Sequence, residues 1–140
     1  IAERLTFAFE TTLGGKTMTA LLERAIAASL EARVWYVGLS SPELHLARVR
    51  ARVAKGGHDI PEAQVRARYD SSRLNLIRLL PRLTELRVFD NSAGADPKAG
   101  VAPSPELMLH MLNGKVVEWC PLARATGWAK PILAAAYATG

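Results

Sequence analysis

The chain has a single cysteine, Cys120, so no disulfide can form within it and a scaffold stapled by cross-links is excluded. It has no apolar run approaching the ~18 residues that a membrane-spanning helix requires. Its first residues, Ile1-Ala2-Glu3-Arg4, lack the basic and then apolar order of a secretory leader. Internal repeats and low-complexity tracts are also missing. These absences point away from secretion and from the membrane, and a cytoplasmic, reducing compartment such as the bacterial cytosol is the expectation.

What is present is ordinary globular composition. Of 140 residues, 49% are apolar and 22% charged, which is enough for one packed core of a single domain. The net charge of +5 points to an anionic partner, and charge alone does not choose between nucleotide phosphates, nucleic acid and an anionic membrane surface. The chain opens on Ile rather than Met and runs at once into strand-like sequence, so it is expected to begin inside a gene product.

The run Leu5 to Glu10 reads as a buried strand, followed by a polar turn with Gly14 and Gly15. Met18, Leu21, Leu22, Ala25 and Ile26 then fall on one helical face. Val34 to Leu39 alternates little, as a strand covered on both faces would. Ser40-Ser41-Pro42-Glu43 opens a helix, since a serine cap, a proline in the first turn and an early acid all suit the orphan amides there. That helix breaks at Gly56-Gly57, a hinge-like turn. A second begins at Pro61-Glu62 and reaches Leu80, making a helical hairpin over about 43–81. Leu86 to Phe89 is a further strand ending in Asp90-Asn91-Ser92, and a proline- and glycine-containing loop, expected to be the least ordered part, runs on to Pro105. Asn113-Gly114 marks a hairpin between Leu107–Leu112 and Lys115–Trp119. Trp128 to Ala138 closes the domain as a helix, with Pro131 in its first turn; hairpin and helix together occupy about 106–139.

Two stretches carry chemistry. The first, Glu10 to Thr17, ends in Gly-Lys-Thr and imitates a phosphate-binding loop. The pattern needs glycine at its first position so that successive amides can wrap a phosphate, and Glu10 stands there instead. A plain strand-to-helix turn and a substrate loop are the other readings. The second is the basic stretch Arg48, Arg50, Arg52, Lys55, Arg66, Arg68, Arg73, Arg78 and Arg82, opposed in its own segment only by Asp59, Glu62 and Asp70. Arg48, Arg52 and Lys55 share a helix face. Mobile arginines on such a hairpin stabilise a transferring phosphoryl group, an effect worth ~10³ to 10⁵ in rate. A solvated helix face is the alternative for each of them. His45, His58 and His110 show no ligand spacing, so no metal site is expected.

The wording Phe7-Ala8-Phe9-Glu10-Thr11-Thr12-Leu13, Ser41-Pro42-Glu43-Leu44 and Arg52-Val53-Ala54-Lys55-Gly56-Gly57-His58-Asp59-Ile60-Pro61 resembles the zeta-toxin-like kinases. Arg66-Ala67-Arg68-Tyr69, Asn75-Leu76 and Phe89-Asp90-Asn91-Ser92 follow in that family's order, so the resemblance spans roughly Leu5 to Ser92. It implies an α/β fold of the P-loop-kinase type: a parallel sheet with helices on both faces, the first βα unit absent, and a helical-hairpin lid. It implies Glu10, Thr11 and Thr12 as substrate-binding residues, Arg52 and Arg68 as the catalytic lid arginines with Arg66 a competitor for the second, and Arg66 and Asn91 near the nucleotide. ATP and Mg²⁺ would be the cofactors and a UDP-linked amino sugar the substrate class. Such kinases often pair with an antitoxin protein. The family's phosphate loop and its catalytic aspartate lie upstream of anything matching Leu5, so this chain by itself is expected to be inactive. A carboxylate at a strand's C-terminal end faces the ligand crevice of an α/β sheet, which fits Glu10 on chemistry alone. The rival expectations are a basic nucleic-acid-binding module, which the resemblance disfavours, and an inactive pseudokinase or gene fragment.

Overall fold

The computed structural model describes residues 6–93, 100 and 104–139. The elements, in chain order, are α1 (Lys16–Ala27), β1 (Arg33–Gly38), α2 (Pro42–Ala54), α3 (Glu62–Leu79), a 3₁₀ turn (Leu80–Arg82), β2 (Glu85–Asp90), β3 (Glu106–Leu112), β4 (Lys115–Trp119) and α4 (Lys130–Thr139). The fold is α/β, with four helices and one open sheet in the order β1-β2-β3-β4. No helix among the described residues is long and apolar enough to cross a membrane.

The sheet is mixed rather than parallel. β1 and β2 run parallel, from Arg33 beside Glu85 to Gly38 beside Asp90, while β3 and β4 are antiparallel additions. The antiparallel part follows from local chemistry. Asn113 and Gly114 sit at φ 50° and 76°, and positive φ at both central residues matches the right-handed twist of the flanking strands. Thr84 locks the turn from outside, its carbonyl accepting from the Asn113 amide at 2.8 Å.

The strand expected over Leu5 to Glu10 does not form at residues 6–10, and Leu5 lies outside the described residues. Phe7 is 75% exposed, and its ring meets that of Phe9 at 5.5 Å. An apolar run becomes a strand only when a neighbouring strand takes its backbone groups. Here β1 is the sheet's edge and no described segment pairs with its outer side. The loop before Pro105 lies largely outside the described residues.

The core lies on one face of the sheet. Leu86, Val88, Leu109 and Met111 from the strands meet Leu76 and Leu79 of α3, Leu80, and Ile132 and Leu133 of α4, all at most 1% exposed. Val34 and Tyr36 point the same way, whereas Trp35 and Val37 point to the other face and are 72% and 55% exposed. The described helices therefore do not cover both faces, as the near-continuous apolarity of β1 had implied. Fully burying one leucine contributes about 1.5–3 kcal/mol, so the second half of α3 is fixed to the core. α2 gives no residue to this buried cluster, and α3 gives only Leu76 and Leu79.

The hairpin joint is well determined. The Gly57 amide donates to the Arg52 carbonyl at 2.8 Å and the Gly56 amide to the Val53 carbonyl at 2.9 Å, with Gly56 at φ +90°. This is a Schellman cap, in which both glycines close the end of α2. The turn is thus hydrogen-bonded throughout rather than a bare hinge.

Gly38, the last residue of β1, is where packing leaves no room. A Cβ there would fall 2.4 Å from Trp128 Cη2. Trp128 is 3% exposed and cannot swing away. Gly38→Ala should lower stability by about 1–3 kcal/mol, the usual cost of overpacking, read as a fall in the urea midpoint with unchanged slope.

Candidate functional site

The parallel pair ends at Gly38 and Asp90, and the carboxyl ends of parallel strands are where the ligand crevice of an open α/β sheet is to be sought. After β1, Ser41 caps α2 and accepts from the Leu44 amide at 3.1 Å, as the Ser-Pro-Glu sequence dictates. After β2, Asp90 makes an Asx turn, Oδ1 accepting from the Ser92 amide at 2.7 Å. The two segments are stitched together: the Asn91 amide donates to the Gly38 carbonyl at 2.9 Å, and the Ser40 amide to Ser92 Oγ at 2.8 Å. Tyr69 of α3 reaches over them, its hydroxyl within 3.2 Å and 3.0 Å of the Leu39 and Ser40 carbonyls.

The second oxygen of Asp90 does something the sequence did not disclose. Oδ2 accepts from Trp128 Nε1 at 2.6 Å and from Thr126 Oγ1 at 2.8 Å, in a site where Asp90 is only 6% exposed. Burial pushes this carboxyl up, but the bonds from Trp128, Ser92 and Thr126 outweigh it and hold the group below the usual aspartate value. Asp90 is accordingly a structural anion at the floor of the crevice. Asn91 beside it is half-buried, with its amide engaged as above.

The segment carrying Glu10, Thr11 and Thr12 is held against α3. Three successive carbonyls accept from three α3 side chains: Thr12 from Ser72 Oγ at 2.8 Å, Leu13 from Asn75 Nδ2 at 2.8 Å and Gly14 from Ser71 Oγ at 2.9 Å. Leu13 takes φ 55° to allow this and buries its side chain in the core. Gly14 lies so close to α3 that a Cβ would meet Arg68 Cγ at 2.7 Å. The amides of Leu13 and Gly14 are occupied by the hydroxyls of Thr11 at 3.1 Å and Thr12 at 3.4 Å. They are therefore not turned to a common centre as a phosphate loop would need. Glu10, Thr11 and Thr12 are exposed, the threonine hydroxyls serving as local caps.

The basic stretch separates into paired and unpaired members. Arg66 bonds Glu43 at 2.8 Å and Glu62 at 3.0 Å, Arg73 bonds Asp70 at 2.7 Å, and Arg78 and Arg82 both reach Glu23 at 3.2 Å and 3.6 Å. Glu43 and Glu23 come from α2 and α1, outside the arginine-rich segment, so spacing along the chain hid them. Among the described residues, Arg48, Arg50, Arg52, Lys55 and Arg68 carry no such pair. The unpaired charge gathers on α2.

There His45, Arg48 and Arg52, at i, i+3 and i+7, line a recess of about 430 Å³ with Leu39 and Ala51. Arg48 Nη2 lies 3.4 Å from both the Ser92 and Ala93 carbonyls, tying α2 to the end of β2. Burial first, and then the charges of Arg48 and Arg52, hold His45 below the ordinary imidazole value. A second recess of about 460 Å³ lies under the hairpin joint, between Leu46, Val49 and Val53 and the turn Asp59-Ile60-Pro61. Of the expected site residues, Arg52 lines the α2 recess, Arg68 lies beneath Gly14, Arg66 is in its ion pairs and Asn91 is at the end of β2. Arg52 and Arg68 stand on different helices, Arg52 at the α2 recess and Arg68 against Gly14. His45 and Arg48 were not singled out as site residues, although their spacing from Arg52 was the available signal.

The crevice floor makes a pH prediction. Asp90 has its pKa depressed in the folded protein, so its stabilisation is present above the unfolded value of ~3.9 and is lost as pH falls through the folded one. Asn offers one acceptor where Asp offers two, leaving its NH₂ facing either the Ser92 amide or the Trp128 and Thr126 donors. Asp90→Asn should cost about 1–3 kcal/mol at pH 7, and the gap from the parent should close below pH ~4. Chemical unfolding of both proteins across pH 3–7 measures it.

No protein-family model and no solved structure matches the chain. An uncharacterised protein of Haemophilus influenzae is 35% identical over 69 residues, covering 49% of this chain and 49% of its own length. The match thus spans about half the length of that relative.

Proposed function

We propose that this chain is the substrate-binding and lid portion of an ATP-dependent kinase that phosphorylates a hydroxyl of a small molecule, with UDP-linked amino sugars as the substrate class. The observation that carries the reading is the cationic recess of α2 beside the carboxyl ends of β1 and β2, where its arginines have no acidic partner among the described residues. The resemblance of residues 5–92 to zeta-toxin-like kinases supports it from the sequence side and brings with it an antitoxin partner, while a cytoplasmic site follows from the cysteine usage.

In this reading Arg52 and Arg68 neutralise charge on the moving phosphoryl group. Glu10 accepts from a sugar hydroxyl, assisted by Thr11 and Thr12, on a segment made rigid by Ser71, Ser72 and Asn75. Asn91 and Arg66 lie toward the nucleotide. Arg66 would first leave its exposed pairs with Glu43 and Glu62, a release that costs little because such pairs contribute about 0–1 kcal/mol. Among the described residues no three carboxylate, imidazole or thiol groups converge on one point, so no step is assigned to a metal held by this chain.

The rival is a nucleic-acid-binding module built on the basic hairpin. The resemblance disfavours it, and it predicts affinity that falls steeply with salt and little preference for nucleotide sugars.

The test is phosphoryl transfer from ATP to UDP-amino sugars by the full gene product. Arg52→Ala and Arg68→Ala should each lower kcat at least ~100-fold, because the charge they neutralise develops in the transition state, and KM should change little for Arg68→Ala. Glu10→Gln should weaken sugar binding by roughly 10- to 100-fold. In the chain alone, calorimetry should find Mg-ATP binding weaker than micromolar and insensitive to Lys16→Ala. No transfer, combined with duplex DNA binding that falls steeply with salt, would overturn the reading in favour of the rival.

A further inference from the structure

We infer that the α2 recess is a pocket for the pyrophosphate group of a nucleotide, and that His45 and Arg48 hold this group together with Arg52. That a nucleotide delivers the group rests on the proposed function; the pocket rests on side chains alone.

Among the described residues no carboxylate lines the recess, whose boundary is Leu39, His45, Arg48, Ala51 and Arg52. Arg48 and Arg52 are like charges at i, i+4, an arrangement that destabilises a helix unless an anion lies between them. Their Cβ atoms are set about 5–6 Å apart by helical spacing, which suits an anion with two charged centres better than a single carboxylate. Arg48 is also aimed in advance. Its Nη2 is spent on the Ser92 and Ala93 carbonyls, leaving the remaining N–H groups of the fork for a ligand. His45 completes the wall, its ring set edge-on to Tyr69 at 5.8 Å and 78°.

The same arrangement links binding to protons. The groups facing His45 are Arg48 and Arg52 on its own helix, the Tyr69 ring from α3, and Leu39 from the segment after β1. In the free protein, burial and then the two arginines hold the imidazole below its ordinary pKa. A bound dianion cancels the field of those arginines, so the bound pKa lies above the free one and the ring takes up a proton on binding. Affinity must then rise as pH falls.

Inorganic pyrophosphate, without magnesium, is the probe, titrated into the chain with its histidine rings isotope-labelled. The His45 resonances should move and its pKa should rise, while His58 and His110 stay in place. Between pH 8 and pH 6 the parent should gain affinity over His45→Asn, by up to about 10-fold for each unit of pKa rise; the ligand's own titration cancels in that ratio. Arg48→Ala should weaken binding about 10-fold or more, and Arg50→Ala, on the same helix but outside this recess, less than twofold. Competition by UDP, and separately by ATP, identifies the nucleotide that carries the group. An unmoved His45 ring at saturation, or equal losses in the Arg48 and Arg50 variants, would overturn the pocket. Should pyrophosphate bind as described while the full gene product transfers no phosphate, the pocket stands and the kinase reading falls.

Discussion

The buried carboxylate of Asp90 is the interaction on which the arrangement of this molecule depends. One oxygen shapes the turn that leaves β2, and the other anchors Thr126 and Trp128, the approach to the last helix. Trp128 in turn lies flat against the bare backbone of Gly38, so the ends of both parallel strands and the C-terminal segment meet around one charge. A carboxylate so enclosed is tolerable only because every donor aimed at it comes with hydrogen-bond geometry; removing one would leave the others facing an uncompensated group. Arg73 adds to the same knot. It stacks over Tyr69 at 4.6 Å, pairs with Asp70 and reaches the Trp128 carbonyl at 3.4 Å, so α3 is tied to the carboxyl ends of the sheet from its own side.

This knot divides the molecule mechanically. The second half of α3, the segment from Thr12 to Gly14 and the sheet behave as one body, because the polar face of α3 clamps three consecutive carbonyls while its apolar face fills the core. Tyr36 joins the two faces, its hydroxyl sharing a 2.9 Å bond with Ser72. Against that body, α2 is held through fewer and longer contacts, chiefly Leu46 and Val49, the 3.4 Å bonds of Arg48, and the exposed pair between Glu43 and Arg66. Any closure over a ligand would thus be a movement of α2 carrying its arginines, with the Thr12 to Gly14 segment staying still.

Much of this fold was legible in the sequence where the signal was local. Asn113-Gly114 specified a hairpin because both residues accept positive φ, and Ser41-Pro42-Glu43 specified a helix start because each suits the first turn; both elements lie within a residue or two of the expected bounds. The glycines at 56 and 57 marked the end of α2, although not that they would form a bonded cap. What stayed hidden was long-range. Trp128 reads as one more apolar residue until Asp90, 38 positions away, is beside it. Ser71, Ser72 and Asn75 look like a solvent face of α3, and only the path of the preceding chain makes them a clamp. Residues 6–10 had the composition of a strand without a neighbour to pair with, and composition does not report neighbours. For the candidate site, the arginine density was visible, but the division into paired and unpaired members depended on acids from α1 and α2.

The parallel register of β1 and β2 carries one more consequence. Arg33 sits opposite Glu85, so this pairing closes a loop of 52 residues that contains all of α2 and α3. The β3–β4 ribbon closes across two. Chain entropy therefore ranks them: the ribbon gains its bonds early and cheaply, whereas β1 can be recruited only after the hairpin helices have shortened the distance between its ends. The crevice, being built from the carboxyl ends of that pair, depends on the long-range closure rather than on the local one.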